Sequence, residues 1–226
     1  MIITIDGPAG TGKSTVAKRL AKILGFSFFD TGALYRALAW LALKEGVEFE
    51  ENASLKSLLE RFDFRVEEGT DRKYFLGNED ITLAIRSREI SEAASKISAL
   101  KMVREALLSF QRSYGNTHHS VFEGRDLGTV VFPLAEGKVF LTADLQVRAK
   151  RRYEELLLKD PSLQLSQVLE EMQRRDAKDS SRDVAPLRCP EGAFVLDTSS
   201  LSLDQVVASI VQYLQLHKGI VPCKDG

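Results

Sequence analysis

The sequence is short of the features that mark a membrane, redox or nucleic-acid protein. Its 31 basic side chains nearly balance 32 acidic ones, and a net charge of −1 creates no global field for nucleic acid or anionic lipid. Any anion bound here has to be captured by a local site. The longest apolar run, Ala37 to Leu43, is far below the ~18 residues a membrane span requires. The opening Met-Ile-Ile-Thr-Ile-Asp has no basic stretch and already carries a charge at position 6, so no secretory signal is expected. Cysteine is nearly absent. Cys189 and Cys223 are too far apart for a CxxC or metal-ligand pair, and Cys223 falls in a tail, from Lys218 to Gly226, expected to be loose. Both are read as reduced thiols of a cytosolic protein. His118 and His119 lack a third ligand at suitable spacing and are read as polar residues in a turn before a strand. There is no internal repeat and no low-complexity tract.

Hydrophobic residues make up 44% of the 226, enough for one sizeable core or a core with a small insert. Ile2–Ile5 is a β-branched run that breaks at Gly7-Pro8, the pattern of a buried strand feeding a loop. From Lys13 to Leu24, apolar residues at 16, 17, 20, 21, 23 and 24 form a helical stripe that Gly25 ends. Ser27–Phe29 reads as a second short strand. Ala33–Glu45 and Ser54–Phe62 read as helices, with Trp40 in core packing among Leu38, Leu41 and Leu43.

The character changes between Asp63 and Leu83. Phe64-Arg-Val, Lys73-Tyr-Phe-Leu and Ile81-Thr look like short strands, separated by Glu68-Gly69-Thr70 and Gly77-Asn78-Glu79-Asp80. A small β-element among helices suggests an insert at about 63–83. Ser87 to Tyr114 reads as two helices. Ser120–Phe122, Lys138–Leu141 and Ala193–Leu196 are strand candidates, with helical stretches at 145–159 and 163–178. The last helix carries Leu203, Val206, Val207, Ile210, Val211 and Leu214 on one stripe. Strands alternating with helices imply a parallel sheet covered on both faces, in one α/β domain with an insert.

Gly7-Pro8-Ala9-Gly10-Thr11-Gly12-Lys13-Ser14 matches G-x-x-x-x-G-K-[ST] in full, with Thr15 behind it. The match stands in the required context, after a strand and at the start of a helix. Glycines let the backbone curl until successive N–H groups point at one phosphate, and the positive end of the helix adds to them. Lys13 supplies a point charge for the β- and γ-phosphates, and the Ser14 hydroxyl is placed to ligate Mg²⁺. A nucleoside triphosphate is therefore expected. A GTPase switch would need Asn-Lys-x-Asp to read guanine, and none of Asn52, Asn78 and Asn116 is followed by lysine.

Three further clusters bear on what receives the phosphate. In Asp30-Thr31-Gly32-Ala33-Leu34-Tyr35-Arg36, Thr31 is a candidate cap for the helix that begins there. Glu123-Gly124-Arg125-Asp126-Leu127-Gly128-Thr129 follows a strand directly, where parallel sheets bind ligands. The third is basic: Arg148, Lys150, Arg151 and Arg152, then Arg174-Arg175-Asp176, Asp179 and Arg182. Positions 175, 179 and 182 share a helical face by spacing, while Glu154 and Glu155 are placed to neutralise the first run. Arginine forks suit the charge that spreads over oxygens during phosphoryl transfer.

In their order along the chain, GPAGTGKST, DTGALYR, EISEAASKISALKMVREAL, EGRDLGTVVFP and RRDAKDSSRDVAPL resemble the bacterial cytidylate kinase family, from Ile2 to about Leu214. The resemblance implies a three-layer P-loop NTPase fold with a central parallel sheet. It also implies one kinase domain over 1–226, with an acceptor-binding region at about 30–110 and a short helical lid at about 148–165. The implied reaction is ATP with CMP or dCMP, giving ADP with CDP or dCDP. Gly7 to Thr15 would bind ATP, with Ser14 holding Mg²⁺. Thr31, Arg36, Ser95, Arg104, Glu123, Arg125, Arg175, Asp179 and Arg182 would bind the acceptor, Ser95 and Glu123 at the base and Asp179 at the sugar.

Catalysis is expected from Lys13, Arg125, Arg175 and Arg182, with Arg152 as the lid arginine and Asp126 orienting an arginine or a metal-bound water. The family commonly has aspartate where this chain has Glu123, so the carboxylate stands one methylene further out. A cytoplasmic monomer is implied, without nucleic-acid or membrane partners. A kinase acting on shikimate, gluconate, UMP or dTMP is the alternative; the β-rich insert and Gly124-Arg125-Asp126 favour cytidylate.

Overall fold

The computed structural model describes residues 1–68, 72–157 and 160–223. The chain runs through β1 (Ile2–Asp6), α1 (Lys13–Leu24), β2 (Ser27–Asp30), α2 (Thr31–Lys44), α3 (Ala53–Glu60), β3 (Phe64–Glu67), β4 (Lys73–Leu76) and β5 (Glu79–Asp80). A 3₁₀ turn at Ala84–Arg86 leads to α4 (Arg88–Ile97), α5 (Lys101–Thr117) and β6 (Ser120–Gly124). After a π-helical turn at Leu127–Val131 come β7 (Gly137–Thr142), α6 (Leu145–Leu157), α7 (Leu165–Ser181), β8 (Phe194–Asp197) and α8 (Leu203–Lys218). The elements fall into two units, Met1–Phe29 with Arg112–Gly226, and Asp30–Gln111.

The first unit is built on a five-stranded sheet in the order β2-β6-β1-β7-β8. β1 lies parallel to both β6 and β7, and β7 parallel to β8. Ile3 and Ile5 are wholly buried, and every residue of β6 is buried. That is the pattern of strands covered on both faces. On one face α1 and α8 interlock, with Val16, Leu20, Val207, Ile210 and Leu214 packed against Ile3, Ile5, Val139 and Leu141. Elsewhere in this unit Phe122 meets Phe29, Tyr114 and Phe132, with ring centroids 4.6–6.0 Å apart. α6 packs on α7 through a small cluster of Ala149, Leu163, Val168 and Met172. The central α/β architecture therefore follows the reading from periodicity.

The second unit carries a three-stranded antiparallel sheet, β3-β4-β5, and α2 packed on α4. The strand expected at Ile81-Thr82 is instead at Glu79–Asp80; Ile81 is wholly buried and the chain turns there toward the 3₁₀ segment. The turn expected at Glu68-Gly69-Thr70, the helix end at 158–159 and the tail beyond 223 lie partly or wholly outside the described residues.

Three local expectations are corrected. The residue capping α2 is Asp30, not Thr31: its Oδ1 accepts from Ala33 N–H at 2.9 Å, and Thr31 is the first helical residue. Trp40 is only half-buried, and Lys44 Nζ stands 4.6 Å from its ring centroid. The neighbouring Leu43 is exposed while Leu38, Ala39 and Ala42 are wholly buried, so Trp40 lies at the edge of the buried face of α2 rather than in the core. From Gly219 to Cys223 the segment after α8 is docked, not loose: Ile220 is buried in the core and Cys223 N–H donates to Ile23 O. Both cysteines are free thiols.

Removing the α2 cap by Asp30→Ala is expected to lower unfolding free energy by about 1 kcal/mol in a urea titration, whereas Asp30→Asn, which still caps, retains most of it.

Candidate active site

The loop between β1 and α1 is held tightly from below. Gly7 has φ +145°, and a Cβ there would sit 2.0 Å from the carbonyl oxygen of Leu141, at the end of β7. Gly10, at φ +76°, leaves 2.8 Å between such a Cβ and Met172 Cε of α7. Gly7 cannot take a side chain without moving the strand beneath it, and at Gly10 the left-handed φ favours glycine, with Arg148 O 3.1 Å from such a Cβ. Lys13 opens α1 and is buried; its Nζ donates to Pro8 O at 2.6 Å. Ser14 and Thr15, one and two residues on, are exposed. No acidic residue lies in the first turn of α1 to cancel its positive end.

Around Lys13 the first unit gathers cations. Burial pushes the Lys13 pKa well below the usual lysine value, and Arg125 and Arg175 push it the same way, while Glu123 and Asp6 oppose them. Arg125, just beyond β6, donates through Nε to Asp179 Oδ2 at 3.1 Å and through Nη1 to Gly124 O. Burial alone would raise the carboxyl of Asp179, on α7. Arg125, Arg175 and Arg182 override it and hold the group below the ordinary aspartate range. Lys13, Arg125, Arg175 and Arg182 thus share one place beside the phosphate-binding loop with the carboxylates of Glu123, Asp179 and Asp6, and Arg125 and Arg175 still repel the Lys13 ammonium. Mutual repulsion of that kind is relieved by an anion, and a polyphosphate has the right charge.

Within the second unit, Arg36 donates to Asp30 Oδ2 at 3.0 Å, so one carboxylate both caps α2 and orients this arginine. The Arg104 guanidinium is buried, donates to Ser98 O and stands 5.7 Å from the Tyr35 ring centroid. Thr31 is buried, and Ser95 on α4 is half-buried.

The cytidylate kinase family profile matches residues 3–216. The chain belongs to the cytidylate kinase family. A cytidylate kinase of Protochlamydia amoebophila is 50% identical over 218 residues, 94% of this chain and 96% of the relative. One from Vibrio cholerae is 45% identical over 215 residues, covering 95% and 96%. A crystal structure of an uncharacterized protein from Eubacterium ventriosum shares the fold at TM-score 0.52 and 14% identity, covering 95% of this chain and 98% of that one. Membership of the cytidylate kinase family makes this chain an enzyme, a nucleoside monophosphate kinase.

Against the residues of this cytidylate kinase family member, one expectation needs adjusting. Arg175 and Asp179 lie on α7 and Arg182 is its C-cap, and both arginines act on the Asp179 carboxyl. The basic run on α6 does not act as a unit. Arg148 is buried and donates to Ala143 O, Ala9 O and Asp176 Oδ2, which makes it part of the floor of the loop. Arg151 bonds Thr198, and Arg152 is half-exposed with Glu155 at 3.0 Å. Asp126 is buried directly beyond Arg125. Asp6 went unnoticed as a site residue. The signal for it was an acidic residue closing a β-branched strand immediately before the glycine loop.

Because the folded Asp179 pKa lies below the ordinary value of 3.8, its stabilisation is present above that pH and is lost as pH falls through the folded value. Asp179→Asn is therefore expected to be less stable than wild type at pH 7, with the gap in urea midpoint closing in acid below pH 3.8.

Proposed function

We propose that this chain transfers the γ-phosphate of ATP to CMP and dCMP, giving CDP and dCDP, by direct in-line displacement without a phosphoenzyme. The observation that carries the reading is the guanidinium cluster of Arg125, Arg175 and Arg182 around Asp179, beside the buried Lys13 of a phosphate-binding loop. The donor phosphates take the loop N–H groups of Gly7 to Thr15 and the charge of Lys13. Arg125, Arg175 and Arg182 offset repulsion as the acceptor phosphate approaches, and Asp179 accepts from the sugar. On the second unit Arg36 and Arg104 hold the acceptor phosphate, with Thr31 beside them and Ser95 near the base. Glu123 acts on the base and, from its buried place in β6, as a counter-charge to Lys13. Arg152 belongs to a lid that excludes water from the transferring group, and Asp126 orients an arginine or a metal-bound water.

No strong general base is needed, because the acceptor phosphate oxygen is already ionised at neutral pH. Alignment and charge stabilisation supply the rate. Among the described residues no group of three or more histidine, cysteine or carboxylate side chains is placed to cage a metal. The exposed Ser14 hydroxyl suits Mg²⁺, which is bound through few protein ligands plus phosphates and water. When bound, the ion would neutralise donor-phosphate charge. The protein is taken to act as a cytoplasmic monomer; among the described residues no helix is long and apolar enough to cross a membrane.

Incubation with ATP, Mg²⁺ and each of CMP, dCMP, UMP, AMP, dTMP and shikimate tests the acceptor; failure with both CMP and dCMP would sink the reading. Lys13→Ala and Arg182→Ala are each expected to lower kcat/KM by at least ~10²-fold, about 2.7 kcal/mol of transition-state stabilisation. Near-wild-type turnover in a folded variant would remove that residue from its role.

A further inference from the structure

Asp6 is the last residue of β1, one peptide bond before Gly7, and the transfer described above makes no use of it. It is wholly buried. Its Oδ1 accepts from Leu127 N–H at 2.9 Å and its Oδ2 from Gly128 N–H at 2.8 Å. Those residues directly follow Arg125-Asp126 and begin the π-helical turn. In the parallel register of β1 and β6, Asp6 stands opposite Gly124. The turn is pressed close on this side: a Cβ at Gly128 would lie 2.7 Å from Pro190 Cγ and 3.0 Å from Thr4 Oγ1. A buried carboxylate with both oxygens engaged by consecutive backbone amides is a stiff link between its own strand and that turn.

We propose that Asp6 is a positioning residue, whose carboxylate clamps the turn bearing Arg125 onto the end of β1 and so sets the spacing between the Arg125 guanidinium and the Lys13 ammonium during transfer. The proposal rests on the phosphoryl-transfer reading above.

The clamp is sensitive to pH, because each oxygen receives an N–H and the ionised form suits both bonds. Burial pushes the Asp6 pKa up to about 7, against the two amide bonds that lower it. Asp126, beyond β6, raises it further, and Lys13, from α1, lowers it. Cys189, in the segment before β8, has its own thiol pushed up by burial and by Asp6. Below about pH 7 a proton taken from solvent occupies one carboxylate oxygen and weakens one of the two bonds. The clamp therefore tightens as pH rises through that value.

The test compares full-length wild type with Asp6→Asn, using ATP, Mg²⁺ and CMP across neutral pH. The asparagine keeps the shape and one acceptor but sets an amide NH₂ against a backbone N–H. Its kcat at alkaline pH is expected to fall about 10- to 100-fold, the worth of one charge-assisted hydrogen bond. KM for ATP should change little, and the deficit should shrink on the acid side. Ionisation of the CMP phosphate is common to both proteins, so the difference between profiles reports the loss of the Asp6 carboxylate, and the amide titration below separates the clamp from its charge on Lys13. Equal kcat and identical pH profiles would overturn the proposal.

A second readout uses wild type alone, without nucleotide. In NMR of ¹³C- and ¹⁵N-labelled protein, the Asp6 carboxyl signal and the Leu127 and Gly128 amide signals should titrate together near neutrality. Titration of Asp6 in the ordinary carboxylate range, with those amides unmoved, would overturn the clamp even if the variant fails to fold. Wild type inactive with every acceptor would instead defeat the transfer reading, and the NMR titration would still decide the clamp.

Discussion

A buried ammonium is the constraint to which the larger unit answers. Taking Lys13 out of water is costly, and two arginines nearby make it costlier still. What keeps the arrangement folded is partial compensation. Pro8 O takes one of its N–H groups, and Glu123 and Asp6 supply opposing charge from the ends of two adjacent strands. Arg125 and Arg175 still repel the ammonium across this site, and that repulsion, which an anion relieves, is the chemical basis for capturing a polyphosphate.

The sheet order makes this compensation available. β1 lies between β6 and β7, so its carboxyl end has Gly124 opposite on one side and Phe140 on the other. The loop leaving β1 and the arginine-bearing turn leaving β6 must therefore start side by side. Asp6 then joins that turn by two hydrogen bonds, and Arg125 reaches across to Asp179 on α7. Below the loop, Leu141 O leaves room for glycine only at position 7, and Met172 and Arg148 close on Gly10. Rigid support of this kind is what lets a loop hold reacting phosphates in line without paying for reorganisation at each turnover.

Much of this was legible one residue at a time. The strand–glycine loop–helix context, the α1 stripe with Gly25 beyond it and the α8 stripe all appear in the structure, because each rests on local periodicity or on a backbone shape few residues adopt. Where reading failed, a neighbour distant in the chain or a competing local contact had decided. Asp30 displaced Thr31 as the cap because its carboxylate reaches Ala33 N–H and Arg36 together. Cys223 is pinned by Ile23, 200 positions earlier in the chain, a contact no tail composition announces.

By itself the sequence determined that a triphosphate would be bound, since the glycine loop and Lys13 form a self-contained motif, and its ordered segments carried the family. Only the tertiary structure decided which charges act together. It divided one basic run into Arg148 in the floor of the loop, Arg151 on Thr198 and Arg152 on Glu155. It also turned Asp6, in the sequence merely an early charge, into a buried clamp. The physical reason is that charges interact through space and desolvation, and both depend on neighbours that the chain brings together only when it folds.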